Sequence, residues 1–290
     1  EESESGTITI TDGRTVWKFS RPEACLQSIR VEDTELLDSE PRIHTWRSGT
    51  DNDAIRGWSG QENKPYSLGK SSGLCDLERV ESQLSLDPSS AGTPVVSIHR
   101  RYSAAGKAIH HGLTYRFGRD GDVALENDFD FGPHLPSLAR VGLRLALVPG
   151  FEDLHWLGRG PHENYADRNA GAVFAQHSST VTEQYVPYIL PQAHGQKTDT
   201  RWLTLDNGSA TFRVEADAPF EFSASHYPDE KLQACTHTHE LEPDLQTWLC
   251  LDHRHRGVGS GSCGPQTRDE YCIPPGKFDF SLRFCIEAKK

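Results

Sequence analysis

The chain has 290 residues, of which 35% are hydrophobic and 25% charged, the balance of a globular protein and not of a disordered one. Its 30 basic and 42 acidic side chains leave a net charge of −12, which excludes nucleic acid and anionic membrane as default partners, because phosphate binding demands a basic face. No apolar run approaches the ~20 residues of a membrane-spanning helix, and nothing at the start reads as a signal peptide. In chain order, the stretch 7–19 (TITITDGRTVWKF) alternates apolar and polar residues on either side of Asp12-Gly13, a hairpin signal because glycine supplies the positive φ the turn needs. Leu113 to Phe117, Asp120-Gly121 and Val123 to Leu125 repeat the pattern, as do Leu203 to Leu205, Asn207-Gly208 and Phe212 to Val214. Phe278, Phe280, Leu282 and Phe284 alternate at the end, and no long stretch has helical period. The expectation is an all-β chain: one large antiparallel β-sandwich over residues 1–290, with long or Gly-rich loops at 39–74 and 257–267.

A chain that opens at Glu1 and contains no methionine is expected to be a fragment, an excised domain or a processed product. Its seven cysteines are odd in number and none has C-x-x-C spacing, so they read as mostly reduced core residues, with a cytoplasmic location expected.

The densest polar stretch is Gly158-Arg159-Gly160-Pro161-His162-Glu163-Asn164-Tyr165-Ala166-Asp167-Arg168. Planar polar groups beside an aromatic ring suit a sugar, and such a cluster is either a satisfied network or a binding wall. Glu163 and Asp167 are candidate carboxylates, but pairing with Arg159 and Arg168 would spoil an acid role. Asp51-Asn52-Asp53 reads as a calcium loop or, more simply, as an Asx turn. His237-x-His239 and His253-x-His255 would place two rings on one face of a strand, either for zinc or as an outward polar face. Cys263, in the Gly-rich loop 257–265, is a nucleophile only beside a base; otherwise it shapes the loop.

In their order along the chain, several of these residues resemble the C-terminal domain, or small chain, of the glycoside hydrolase family 2 β-galactosidases. Trp46-Arg47 to Asp51-Asn52-Asp53 is similar to the family's W-R-A-P-T-D-N-D, Leu138 to Leu143 to its L-P-R-V-G-L, and Gly158 to Arg168 to G-x-G-P-x-E-N-Y-x-D-R. Pro187-Tyr188, Pro191-Gln192, Arg201-Trp202, His237-x-His239-Glu240-Leu241 and Ser262-Cys263-Gly264-Pro265 follow. The resemblance implies a galactose mutarotase-like supersandwich. It also implies catalytic glutamates, with magnesium and sodium, on a separate (β/α)8 barrel that this chain lacks, so the chain alone is expected to be inactive. That barrel, the galactoside itself and an oligomeric assembly are the implied partners, the substrate being a terminal β-D-galactoside such as lactose, hydrolysed with retention. Cys263 and the Asp51-Asn52-Asp53 loop are the implied pocket walls, with Glu163, Asn164, Tyr165, Asp167, Arg168, His237 and His239 as further substrate-binding positions. Two departures stand out: the family's P-Q-E-N-G-x-R has Ala193 and Lys197 for its carboxylate and guanidinium, and lysine has no planar fork. The alternatives are an aldose 1-epimerase working through His194, His237 or His239 with Glu163 or Asp167, and a non-catalytic carbohydrate-binding module.

Overall fold

The computed structural model describes residues 2–3, 6–88, 93–118 and 121–289. Four strands, β1 (Thr7–Thr11), β2 (Thr15–Ser20), β3 (Cys25–Val31) and β4 (Thr34–Glu35), form a small antiparallel sheet in sequence order. Twelve more form a second sheet: β5 (Leu37–His44), β6 (Glu78–Asp87), β7 (Val95–Ala104), β8 (Lys107–Phe117), β9 (Val123–Phe131), β10 (Arg140–Leu147), β11 (Asp153–Gly160), β12 (Val173–Thr180), β13 (Lys197–Asp206), β14 (Ala210–Ser225), β15 (Thr247–His255) and β16 (Lys277–Ala288). Among the described residues the two α-helices are short, α1 (Pro65–Ser71) and α2 (Asp229–Ala234). The all-β expectation holds.

The hairpins form where the sequence places them, with Gly13 at φ 94° and Gly208 at φ 85°. The β8–β9 hairpin also forms, with Gly121 at φ 86°, although Asp120 of its turn lies outside the described residues. Period two is visible in β8, where Ile109, His111, Leu113, Tyr115 and Phe117 are all buried. The small sheet packs on this face through edge-on aromatic contacts, Trp17 to Phe117 at 5.7 Å and Phe19 to Tyr115 at 5.1 Å. Of the expected loop 39–74, the first six residues belong to β5, which pairs with β10.

The long sheet forks at β14. Its first half, Ala210 to Glu215, bonds to β16, and its second half, Glu221 to Ser225, bonds to β15. The intervening Ala216-Asp217-Ala218-Pro219 carries the change of direction, since proline cannot donate to a ladder. One branch runs β15-β10-β5, the other β16-β9-β8-β7-β6, and β13-β11-β12 lie on the far side of β14. This fork gathers the loops after β5, β11, β12 and β15 beside one another. Among the described residues, no helix is long and apolar enough to cross a membrane.

Candidate functional site

The loop after β5 is held from below by a buried ion pair. Arg47 is 2% exposed and Asp53 4%. The guanidinium donates to Asp53 Oδ2 at 2.9 Å and Oδ1 at 2.8 Å, and also to the carbonyls of Arg256 at 2.7 Å and Gly257 at 3.2 Å. Asp53 Oδ2 further accepts from the Thr50 amide at 3.2 Å and its hydroxyl at 3.1 Å. Burial alone would raise the Asp53 carboxyl, but the Arg47 charge and paired hydrogen bonds outweigh it and hold the group below the usual carboxylate range. Asp53 therefore serves as an anchor, an arrangement nearer to the turn reading than to a cation loop.

Asn52 carries the loop across to the Gly-rich segment. Its Oδ1 accepts from the Ser262 amide at 3.1 Å and hydroxyl at 2.9 Å, and its Nδ2 donates to the Gly259 carbonyl at 3.1 Å. Asp167 fixes the same segment from the other side, accepting from the amides of Val258 at 3.0 Å and Gly259 at 2.7 Å. A side chain at Gly257 would come within 2.6 Å of the Asp167 carboxyl, so glycine is what lets the carboxylate reach the backbone. Arg168 adds a hydrogen bond to the Gly259 carbonyl at 2.6 Å.

Between these loops lies a cleft of about 590 Å³, lined by Asp51, Asn52, Glu163, Tyr165, Arg168 and Cys263 together with Tyr188, Gln192 and Ser262. Six of the expected site residues thus meet in one place. Glu163 organises the wall: Oε2 accepts from the Tyr165 hydroxyl at 3.1 Å and the Gly195 amide at 2.8 Å, while Oε1 takes the Tyr188 hydroxyl. Burial, with the Glu163 charge next, raises Tyr165 well above an ordinary phenol and pushes Tyr188 up too, so both are donors at neutral pH. The Asp51 amide donates to Gln192 Oε1 at 3.1 Å. The expected pairing with Arg159 and Arg168 is not made, because Arg159 turns to Asp199 and Arg168 to a carbonyl.

The remaining candidates lie elsewhere. Asn164 is buried and braces β13, accepting from the Thr198 amide at 3.0 Å. His237 and His239 do not line the cleft; His237 caps and His239 lies within a 3-10 turn at Thr238–Glu240 instead of sitting on a strand, and His237 Nδ1 is 3.0 Å from Glu240 Oε1. In His253-x-His255 a β-bulge breaks the alternation, so His253 packs on Phe278 and Phe280 while His255 meets the Tyr165 ring. His194 is buried, with Nδ1 2.9 Å from the Gln192 carbonyl. All seven cysteines are free; Cys25, Cys250 and Cys285 are buried, whereas Cys263 is exposed at the cleft with no base hydrogen-bonded to its sulfur. Tyr188 and Gln192, absent from the expected site, were signalled by the Pro-Tyr and Pro-Gln pairs that carry them.

Chemically, the cleft offers phenols, amides, hydroxyls and a guanidinium, a hydrogen-bonding surface for a polyhydroxylated ligand. Of its two carboxylates, Asp51 and Glu163, the latter has both oxygens engaged by protein donors and so serves as an organiser of the wall.

Behind the wall sits Lys197, 1% exposed, its Nζ 3.0 Å from the Gly195 carbonyl and 5.5 Å from the Trp156 ring. Burial brings its ammonium down to about 8, against the pull of Glu163. The unfolded chain keeps this proton to about pH 10.4, so between these values it binds more protons than the folded chain, and stability rises with pH across that window. Lys197→Met is expected to be the more stable protein at about pH 7, by up to about 3 kcal/mol, and to lose that advantage by about pH 10. Urea midpoints of the two proteins across this range check it; a constant difference contradicts the assignment.

Residues 11–286 match the family model described as beta galactosidase small chain. A β-galactosidase of Yersinia enterocolitica is 30% identical over 87% of the chain, and one of Staphylococcus xylosus is 27% identical over 96%. The chain spans only 24% and 27% of the length of these two relatives. Among solved structures, a galactose 1-epimerase of Lactobacillus acidophilus superposes with a TM-score of 0.52 at 10% identity, covering 100% of this chain and 97% of that one. A putative aldose 1-epimerase of Escherichia coli gives 0.50 at 9% identity, covering 98% and 99%. At such identities the likeness is one of fold.

Proposed function

Since the chain belongs to the beta galactosidase small chain family, we propose that it is the accessory part of a β-galactosidase, closing the galactoside pocket of a catalytic (β/α)8 barrel carried elsewhere. The observation that carries this reading is the convergence of Asp51, Asn52, Glu163, Tyr165, Arg168 and Cys263 on one cleft, with the Glu163 carboxylate held by protein donors at both oxygens. The barrel supplies the acid, the nucleophile, and the magnesium and sodium; this chain supplies hydrogen-bonding wall and assembly surface to an oligomer acting on terminal β-D-galactosides such as lactose.

Turnover of a nitrophenyl β-galactoside tests it. The 290-residue chain alone is expected to give none, and addition of a matching barrel chain is expected to produce it. Robust hydrolysis by the chain alone overturns the proposal, and calorimetric binding of lactose without complementation favours a carbohydrate-binding module instead. In the complemented enzyme, Asn52→Ala removes the hydrogen bonds that hold the Cys263 loop to the D-N-D loop. It is expected to raise KM about tenfold with a smaller change in kcat, and equal kinetics for variant and parent contradict this.

A further inference from the structure

Away from the cleft, β5, β10 and β15 lie side by side, with His44 and Asp252 both opposite Gly142, and Cys250 opposite Arg144. Strands two apart in a sheet are about 10 Å from each other, too far for short side chains to meet across an ordinary residue. At Gly142 nothing stands between them, and a Cβ there would lie 2.5 Å from Asp252 Oδ1 and 2.4 Å from the Leu251 carbonyl. α2 brings Asp229 over the same face, with Oδ2 3.2 Å from His44 Nε2. One ligand atom each from His44, Asp229 and Cys250 lies within 4.8 Å of the others, and all three residues are buried. His44 is 6% exposed, and neither ring nitrogen makes a hydrogen bond of acceptable geometry. A buried imidazole without such a partner is costly, and the cost is removed if an ion takes its lone pair.

We propose that His44, Asp229 and Cys250 bind a zinc ion. Nitrogen, carboxylate oxygen and thiolate sulfur are the donor set this borderline-soft cation prefers. Bond lengths of about 2.0–2.3 Å put tetrahedral ligand atoms roughly 3.5 Å apart, within small side-chain rotations of the spacing present. A cavity of about 30 Å³ beside Asp229 and Cys250, lined also by Ser223 and Ser225, leaves room for a water as fourth ligand. The groups facing the site include two cations, Arg140, 3.5 Å from Asp229 Oδ2, and Arg144. Each already has a counter-charge, Asp252 at 2.7 Å and Glu230 at 2.8 Å, and a thiolate with Asp229 neutralises the ion itself. Asp229 Oδ1 accepts from the Ser48 amide at 2.6 Å, so the ion would brace the root of the D-N-D loop.

The proposal does not rest on the β-galactosidase reading and is tested without substrate. The full chain, stripped with chelator and dialysed against zinc, is expected to retain one ion per chain by elemental analysis. Cobalt(II) in its place should show a thiolate-to-metal charge-transfer band. Cys250→Ser, checked for folding by circular dichroism, should lose the band and retain no zinc. No zinc retained, cobalt bound without the thiolate band, or unchanged zinc in folded Cys250→Ser each overturns the proposal. Should that variant fail to fold, the cobalt spectrum of the parent chain decides alone.

Discussion

Replacing Arg47 with methionine is expected to destabilise the chain by about 3–5 kcal/mol, read as a drop in the urea midpoint. Methionine keeps much of the volume, so the loss is electrostatic. Asp53 would be left 4% exposed with only Thr50 to bond it, and the carbonyls of Arg256 and Gly257 would each lose a charged donor. An uncompensated buried carboxylate costs more than the pair contributes, so Arg47→Met with Asp53→Leu is expected to recover much of the loss. A double variant no more stable than the single one contradicts this account. The consequence reaches the cleft, because the Arg47 ion pair is what ties the D-N-D loop to the start of the Gly-rich segment.

The second large effect is expected at Glu163. Glu163→Ala removes the acceptor for the Tyr165 and Tyr188 hydroxyls and the Gly195 amide, and the negative charge that supports buried Lys197. Three donors without an acceptor and a weakened counter-charge are expected to cost about 2–4 kcal/mol. In the complemented enzyme, loss of the wall's order is expected to reduce kcat/KM by about 10–100-fold. Glu163→Gln should recover part of the stability, since an amide oxygen still accepts, but not the support for Lys197. Full activity in Glu163→Ala rules the wall out as a functional surface.

The parts of this molecule written locally were legible. Asp12-Gly13 and Asn207-Gly208 fix their hairpins because positive φ is a property of one or two residues, and β8 reads directly as alternation. The β14 fork was not legible, because Ala216 to Pro219 reads as a break between strands and nothing in it says that the strand resumes with a new partner. The chemistry divides in the same way. The polar density of 158–168 is visible in the chain, yet the partners of Glu163 and Asp167 are not, since Asp167 finds its amides 91 and 92 residues further on. The His-x-His pairs misled for a physical reason: a bulge and a 3-10 turn each cancel the period that would align them. His44, Asp229 and Cys250 share no motif at all, and only the pairing of β5, β10 and β15 with α2 over their face brings them together.

The position of β16 bears on how such a chain comes off the ribosome. Lys277–Ala288 is the last strand in the sequence, yet it sits inside the sheet, joining β14 to β9. The β6–β9 meander must therefore wait with an open edge while residues 132–276 are made, and ladder closure across the centre waits for β16 to emerge. Stalled or prematurely terminated products would expose two unmatched borders at once, which makes them natural clients for chaperones and ready seeds for misassembly.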